Sequence, residues 1–158
     1  MLGCGSDTLP NNNKESDMFF KAKKESYVIF SPMEGVLLKN GAPLPNTKII
    51  RKLRWNGNED GLVEEFFTDE KGYFSLPIHE EELSLNMLSQ FVGKADLEFE
   101  TDTERDYIWS SGKFSADVFT ETNGELSGLV CDIETEEIAV PMSPLPILTK
   151  CRWKNMPE

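Results

Sequence analysis

The chain has a single histidine, His79, so any zinc or general-base chemistry that needs an imidazole must use it. His79 opens the run His79-Glu80-Glu81-Glu82-Leu83, which starts like a zinc-protease helix but supplies no second histidine for the metal. A nucleophilic triad would need Ser75 or Ser84, and no nucleophile-elbow pattern surrounds either of them. We therefore interpret His79 as a solvated surface residue, and we expect a protein that is not an enzyme and has no metal site or cofactor.

A second pattern resembles a calcium-binding loop. Asn56, Asn58, Asp60 and Gly61 occupy the spacing of the first ligands of an EF-hand, but the twelfth position is Phe67 instead of the required glutamate. Strand-like segments flank the pattern, whereas an EF-hand is flanked by helices. We interpret it as a polar hairpin loop. Carboxylate pairs for glycoside hydrolysis carry no signal, because the chain has 28 acidic residues.

The cysteines point to an oxidising compartment. Cys131 and Cys151 are separated by 20 positions and could close a disulfide, which would stabilise the fold by about 3 kcal/mol. The alternative is a pair of reduced, buried thiols. Cys4 stands apart, because Leu2-Gly3-Cys4 resembles the end of a lipobox, in which a cysteine becomes lipidated. A charged and apolar leader is not present, so the alternative is a chance match.

The N-terminal residues predict how the domain is attached. Residues 1–17 are polar, without apolar periodicity, and we expect a flexible tether before a domain at 18–158. With Cys4 lipidated, the protein would be anchored in the periplasm, and this anchor would be its only membrane contact. Met18, followed by Lys21 and Lys23, could also serve as an internal start for a cytosolic form.

The net charge of −12 bears on the partner. Such a surface repels phosphate backbones and anionic membranes, so we expect no nucleic-acid partner. A basic protein surface would be its complement. The alternative is that excess acidic residues only keep the protein soluble.

Short apolar runs separated by turn residues predict an all-β, antiparallel β-sandwich with one short helix. Asn40-Gly41 is a strong hairpin signal, and Asn123-Gly124 marks another turn. The helix is predicted at His79–Phe91, where Leu83, Met87 and Phe91 repeat every four residues. The predicted strands are 27–30, 35–39, 47–55, 62–68, 73–76, 95–101, 106–109, 113–120 and 128–133, with an extended proline-rich stretch at 141–146.

Part of this pattern resembles the carboxypeptidase-regulatory-like, or transthyretin-like, β-sandwich family. The matching pieces are Gly35-Val36 to Asn40-Gly41, Pro43 to Thr47, and Thr68-Asp69-Glu70-Lys71-Gly72-Tyr73-Phe74-Ser75-Leu76. Asp69 and Gly72 supply the turn chemistry that this arrangement needs. The resemblance covers about a quarter of the chain and implies a fold, not an activity, because such domains are accessory modules.

A wider resemblance covers Met18 to Trp153. It is carried by Phe19, Phe20, Lys21 and Lys23, by Phe30-Ser31-Pro32, by Tyr107-Ile108-Trp109, and by Cys131-Asp132 and Cys151-Arg152-Trp153. Together with the lipobox-like start, the chain is similar to immunity lipoproteins encoded beside type VI secretion phospholipase effectors. This implies a protein that neutralises a lipase toxin by direct contact.

No contact residues follow from that resemblance, so we predict them from charge. The candidates are three acidic segments: Asn58, Glu59 and Asp60; Glu80, Glu81 and Glu82; and Asp102 and Glu104. The competing hypothesis is an envelope lipoprotein module that binds a small ligand or a surface polymer, which a dry apolar pocket between the sheets would favour.

Overall fold

The computed structural model describes residues 24–157, which form strands joined by turns and loops, with no helix among them. The strands are β1 (Glu25–Phe30), β2 (Met33–Lys39), β3 (Ala42–Pro43), β4 (Lys48–Trp55), β5 (Asn58–Phe67), β6 (Tyr73–Leu76), β7 (His79–Leu83), β8 (Gly93–Glu100), β9 (Arg105–Lys113), β10 (Val130–Asp132), β11 (Ile138–Val140), β12 (Ile147–Thr149) and β13 (Cys151–Arg152). The predicted all-β, antiparallel sandwich is confirmed.

The larger sheet has six strands in the order β11-β12-β9-β8-β4-β5, all antiparallel. Along β4, Ile49, Leu53 and Trp55 turn inward, and Lys52 and Arg54 alternate with them on the outer side. This alternation is the period-two pattern of a sheet with one face on the core and one face in water. The larger sheet therefore has an outer face that is directed away from the core.

The smaller sheet is built around β2. β10 lies along one edge of β2 and is parallel to it, with Val130 opposite Val36, and β13 pairs with the far side of β10. β3 and β6 share the other edge of β2. Leu37 and Phe74 point from this sheet into the core and meet the inner face of the larger sheet.

A third, two-stranded sheet continues the β2–β6 ladder. β2 and β6 pair from Val36–Tyr73 to Met33–Leu76, and β1 and β7 resume the pairing at Phe30–His79. Pro32 and Pro77 stand in the gap on the two sides. Proline has no N–H to give to a ladder, so both strands break at the same level. Beyond the break, β1 packs against β4 and β8 of the larger sheet.

Two predicted elements are wrong. The helix at His79–Phe91 does not form: His79–Leu83 is strand β7, and a loop follows in which Met87 is 91% exposed. The burial of β7 alternates residue by residue, because its side chains pack as a strand paired with β1. The strand predicted at Lys113–Thr120 is also wrong, because β9 ends at Lys113 and turns follow.

The predicted turns and loops agree with the structure at some positions and differ from it at others. Asn40 and Gly41 have φ values of 51° and 82° and connect β2 to β3, so the predicted hairpin is confirmed. The loop predicted at Asn56–Gly61 is shorter than expected, because β5 already begins at Asn58. The chain around Pro141–Pro146 is irregular and connects β11 to β12, two strands that the sequence analysis missed.

Candidate functional site

The outer face of the larger sheet is the most complete candidate interaction surface. We define this outer face by the side chains that alternate away from the core on its strands: Lys48, Ile50, Lys52 and Arg54; Val63, Glu65 and Phe67; Lys94, Asp96, Glu98 and Glu100; Arg105, Tyr107 and Ser110; and Leu148. Direct cross-strand partners share a face of a sheet, so these side chains form continuous rows. One row runs Glu65–Ile50–Glu98–Tyr107.

Four large apolar residues of the outer face are exposed to solvent. Val63 and Phe67 are each 60% exposed, Tyr107 is 47% exposed, and Leu148 is 41% exposed. Val63 and Phe67 lie at one side of the face on β5, and Tyr107 and Leu148 lie toward the other. Aromatic residues are enriched in protein–protein interfaces, and several on one face mark it more strongly than single exposed residues do.

The centre of the outer face holds a buried carboxylate between two cations. Glu98 has a side chain only 5% exposed, and it accepts bonds from Lys52 Nζ at 2.7 Å and Arg105 Nε at 2.7 Å. Burial opposes ionisation of Glu98, but the hydrogen bonds from Lys52 and Arg105 outweigh it and hold the pKa of the carboxyl below its ordinary value. The same bond to Glu98 raises the pKa of Lys52. The centre therefore stays charged and fixed at neutral pH.

The outer face is also unusual in charge for this chain. It carries five basic residues, Lys48, Lys52, Arg54, Lys94 and Arg105, against four acidic ones, Glu65, Asp96, Glu98 and Glu100. Further ion pairs cross the face, including Lys48–Glu65 at 3.5 Å and Arg105–Glu100 at 3.6 Å. The outer face thus has one more basic than acidic residue, whereas the whole chain has a net charge of −12.

The three predicted acidic segments are not brought together. Asn58, Glu59 and Asp60 follow the β4–β5 turn, and Glu80–Glu82 lie on β7 at the same end of the sandwich, where the ring of His79 stacks on Trp55 at 5.4 Å. Asp102 and Glu104 lie in the β8–β9 turn at the opposite end. One compact contact site cannot use all three segments.

These segments also have local partners. Asn58 accepts a bond from the backbone N–H of Gly61 at 3.1 Å, so the calcium-like pattern is a turn that satisfies its own backbone. Glu81 is hydrogen-bonded to His79 Nε2 at 2.7 Å. Glu104 accepts a bond from Lys39 Nζ at 2.9 Å, which raises the pKa of Lys39. Among the described residues, no group of three His, Cys, Asp or Glu is placed to hold a metal ion.

A buried arginine, Arg51, lies on the inner side of β4, behind the outer face. Arg51 is 1% exposed, and its guanidinium lies between the rings of Phe30 and Phe66, at 4.8 Å and 4.9 Å from their centroids. Its Nε and Nη2 donate to Glu64 Oε1 at 3.0 Å and 2.8 Å, and its Nη1 donates to the carbonyl of Pro77 at 2.6 Å. Arg51 thereby joins β4, β5 and the Pro77 break in the smaller sheet.

A second buried polar cluster fixes the segment after β9. Glu121 accepts bonds from the backbone N–H and hydroxyl of Ser31 at 3.1 Å and 2.8 Å, and Lys113 Nζ lies 3.4 Å from the same carboxylate. The Ser31 hydroxyl also accepts a bond from Phe119 N–H at 2.7 Å. Burial lowers the pKa of Lys113 despite this neighbour. Alternation in the sequence gave no sign that Glu121 points inward.

A recess between the two layers of the described residues is small. The recess beside Glu121, between Phe30 and Trp109, has a volume of about 10 Å³. A larger groove of about 440 Å³ lies on the smaller sheet, where Glu34, Val36, Tyr73, Glu125 and Lys154 line it. This groove is mixed in polarity and lies at the surface, unlike the dry pocket between sheets that the competing hypothesis favours.

The described residues include the predicted disulfide but not the predicted lipidation site. The structure joins Cys131 and Cys151 in a disulfide with an S–S distance of 2.03 Å, between directly paired positions of β10 and β13. Cys4, the tether at residues 1–17 and the internal start at Met18 lie outside the described residues. Within 24–157, we find no helix with the length and apolar character to cross a bilayer.

The comparisons with known proteins give a family and no named relative. No curated protein and no solved structure matches the chain. A family described as "Domain of unknown function (DUF6795)" matches residues 33–136, which run from β2 through β10 to the turn that follows it. The match covers about two thirds of the 158 residues. The chain therefore belongs to the DUF6795 family.

Proposed function

We propose that the protein is an immunity protein that binds and neutralises a lipase toxin, a type VI secretion phospholipase effector, by direct contact. The single observation that carries the binding role is the outer face, where Val63, Phe67, Tyr107 and Leu148 are exposed around a fixed charged centre. Exposed aromatic and apolar side chains of this kind supply most of the binding energy in protein–protein interfaces.

The charged residues of the outer face support specific binding of one partner. Lys52 and Arg105 each donate to a carboxylate oxygen of Glu98 at 2.7 Å, so the geometry of the three side chains is set before a partner arrives. A preorganised surface loses less side-chain entropy on binding. Tyr107, beside this centre, supplies a large rigid contact of the kind that dominates binding energy.

The disulfide supports the proposed location. A Cys131–Cys151 bridge forms and persists in oxidising compartments such as the bacterial periplasm. A lipid anchor at Cys4 would hold the protein there, where a phospholipase delivered by another cell reaches its substrate. Globomycin treatment tests the anchor, because a lipidated precursor accumulates when its signal peptidase is inhibited.

Co-purification with the lipase effector encoded beside the gene tests the function. We expect a stoichiometric complex at micromolar concentration and loss of phospholipid hydrolysis. Tyr107→Ser should weaken binding at least tenfold, because it removes a central anchor. Tyr73→Ser is the matched control, because Tyr73 is 53% exposed on the smaller sheet, and it should bind like the wild type. No complex with the wild type would refute the proposal.

One observation favours the second candidate, an envelope module that binds a small ligand or a surface polymer. The groove of about 440 Å³ carries Tyr73 with Lys154, Glu34 and Glu125, a mixture that could hold a polar ligand. For this candidate the roles reverse: Tyr73→Ser would lower binding of envelope glycan fragments, and Tyr107→Ser would not.

A further inference from the structure

The longest edge strand among the described residues is β5. It pairs with β4 on one side and with no strand on the other, and its regular ladder covers Leu62–Phe67. Gly61, with φ of 92°, lies where the register shifts and ends this regular part. The opposite edge of the larger sheet is β11, which has only three residues. An unpaired edge presents N–H and C=O groups that another strand can bind.

The register shows which backbone groups are free. Thr68 N–H donates to the carbonyl of Thr47 at 3.0 Å, so this is a hydrogen-bonded position of the β4–β5 ladder. Bonded and non-bonded pairs alternate in an antiparallel ladder. The backbone groups of Val63, Glu65 and Phe67 therefore point away from β4, and no described residue bonds to them.

The same residues present exposed side chains. Val63 and Phe67 are each 60% exposed on the outer face, and Glu65 lies between them with its side chain 55% exposed. A strand added to β5 would place alternate side chains beside these three residues. The edge thus offers backbone bonds for affinity and apolar side chains for specificity, which are the two parts of recognition by strand addition.

Charge decides which strand fits. β5 carries Glu59, Asp60, Glu64 and Glu65 and no basic residue. A second copy of β5 would add four more carboxylates to the same ladder, and like charges across strands are destabilising. Glu64 is already held by Arg51. Glu59 and Asp60 are exposed, however, and the Glu65 side chain is 55% exposed. A strand that carries lysine or arginine would pair these exposed carboxylates, so the edge disfavours self-association and favours a basic partner.

The geometry points to β5 as the docking edge for a basic, extended segment of the partner protein, which pairs with the backbones of Val63, Glu65 and Phe67. This inference rests on the proposed function and specifies its contact. The partner's segment extends the six-stranded sheet by one strand, and its side chains on the outer side contact Val63 and Phe67.

The test compares Glu65→Pro with Glu65→Thr in binding to the purified lipase effector. Both variants remove the carboxylate, but only proline removes the outward N–H. We expect Glu65→Pro to raise Kd at least 30-fold and Glu65→Thr to raise it less than fivefold. Equal Kd values for the two variants, with the wild type still bound, would overturn the docking edge and leave the proposed function standing. No binding by the wild type would overturn both.

Amide hydrogen exchange on the wild-type complex keeps the test valid where a proline variant fails to fold. The amides of Val63, Glu65 and Phe67 should exchange at least tenfold more slowly in the complex than in the free protein. The amides of β11 should not change. Unchanged exchange at all three β5 amides would overturn the inference, and so would a dimer of the free protein that protects them.

Discussion

Replacement of Arg51 tests whether the buried guanidinium holds the two layers together. Arg51→Met keeps an apolar side chain of similar length but removes the contacts to Phe30, Phe66, Glu64 and the Pro77 carbonyl. We expect the free energy of unfolding to fall by about 3–4 kcal/mol.

The magnitude follows from the separate contacts. The two cation–π contacts contribute about 1 kcal/mol each, and the Pro77 carbonyl left without its donor costs about 1–3 kcal/mol. The loss of the Arg51–Glu64 ion pair costs less than the loss of a fully buried pair, because the Glu64 side chain is 30% exposed and water can solvate it. The wild type pays a desolvation cost to bury the charge of Arg51, and the variant does not, which offsets part of this sum.

Urea unfolding followed by tryptophan fluorescence, with the disulfide intact, measures the change. Arg54→Met is the matched control on the same strand, because the Arg54 side chain is 52% exposed and lies 3.8 Å from Asp96. It should change stability by no more than about 0.5 kcal/mol. An Arg51→Met variant as stable as Arg54→Met would refute the reasoning.

Three further measurements follow. Glu98→Gln should lower stability by about 1–2 kcal/mol at pH 7. The pKa of Glu98 is lowered in the folded state, so its contribution to stability is present above the unfolded pKa of about 4.3 and is lost as the pH falls through the folded pKa. Between pH 7 and pH 3, the variant should therefore lose less stability than the wild type. Urea unfolding at both pH values measures this difference. Asp132→Ala should cost about 1–3 kcal/mol in thermal unfolding, because the backbone N–H groups of Asn40, Gly41 and Glu134 lose their acceptor; no change would contradict this. The double variant Cys131→Ser, Cys151→Ser should have a free energy of unfolding lower by about 3 kcal/mol in urea. An unchanged urea midpoint would show that the disulfide does not stabilise the fold.

Sequence patterns predicted the strands whose own residues alternate and whose ends carry turn residues. β6 was predicted at its observed limits, Tyr73–Leu76, because a glycine precedes it and a proline follows it. The hairpin at Asn40-Gly41 needed only local chemistry. Such elements can be read from a few neighbouring residues.

The failures occur where distant residues decide. β7 is rich in glutamate, a poor strand former, and becomes a strand because β1, whose residues lie 49 to 58 positions before their partners, pairs with it. The segment after Lys113 alternates like a strand, but the bonds of Glu121 to Ser31 hold it in turns. Neither partner is visible in a local window.

The candidate site was not predicted from the sequence. Charge in the sequence points to three acidic segments, yet the structure places them at two ends of the sandwich. The outer face was missed because it depends on register: Val63, Tyr107 and Leu148 come from three strands, and only the pairing places them on one face. The alternation of basic and apolar residues along β4 was the available signal.

The parallel pairing of β2 with β10 constrains how the domain is made. Val36 meets Val130 only after more than 90 intervening residues have been synthesised, and β13 must then close over β10. A nascent chain can pair β2 with β3 and β6, but the other edge of β2 stays unpaired until the last strands leave the ribosome. Truncation before Val130 should therefore give an aggregating product instead of a smaller folded unit.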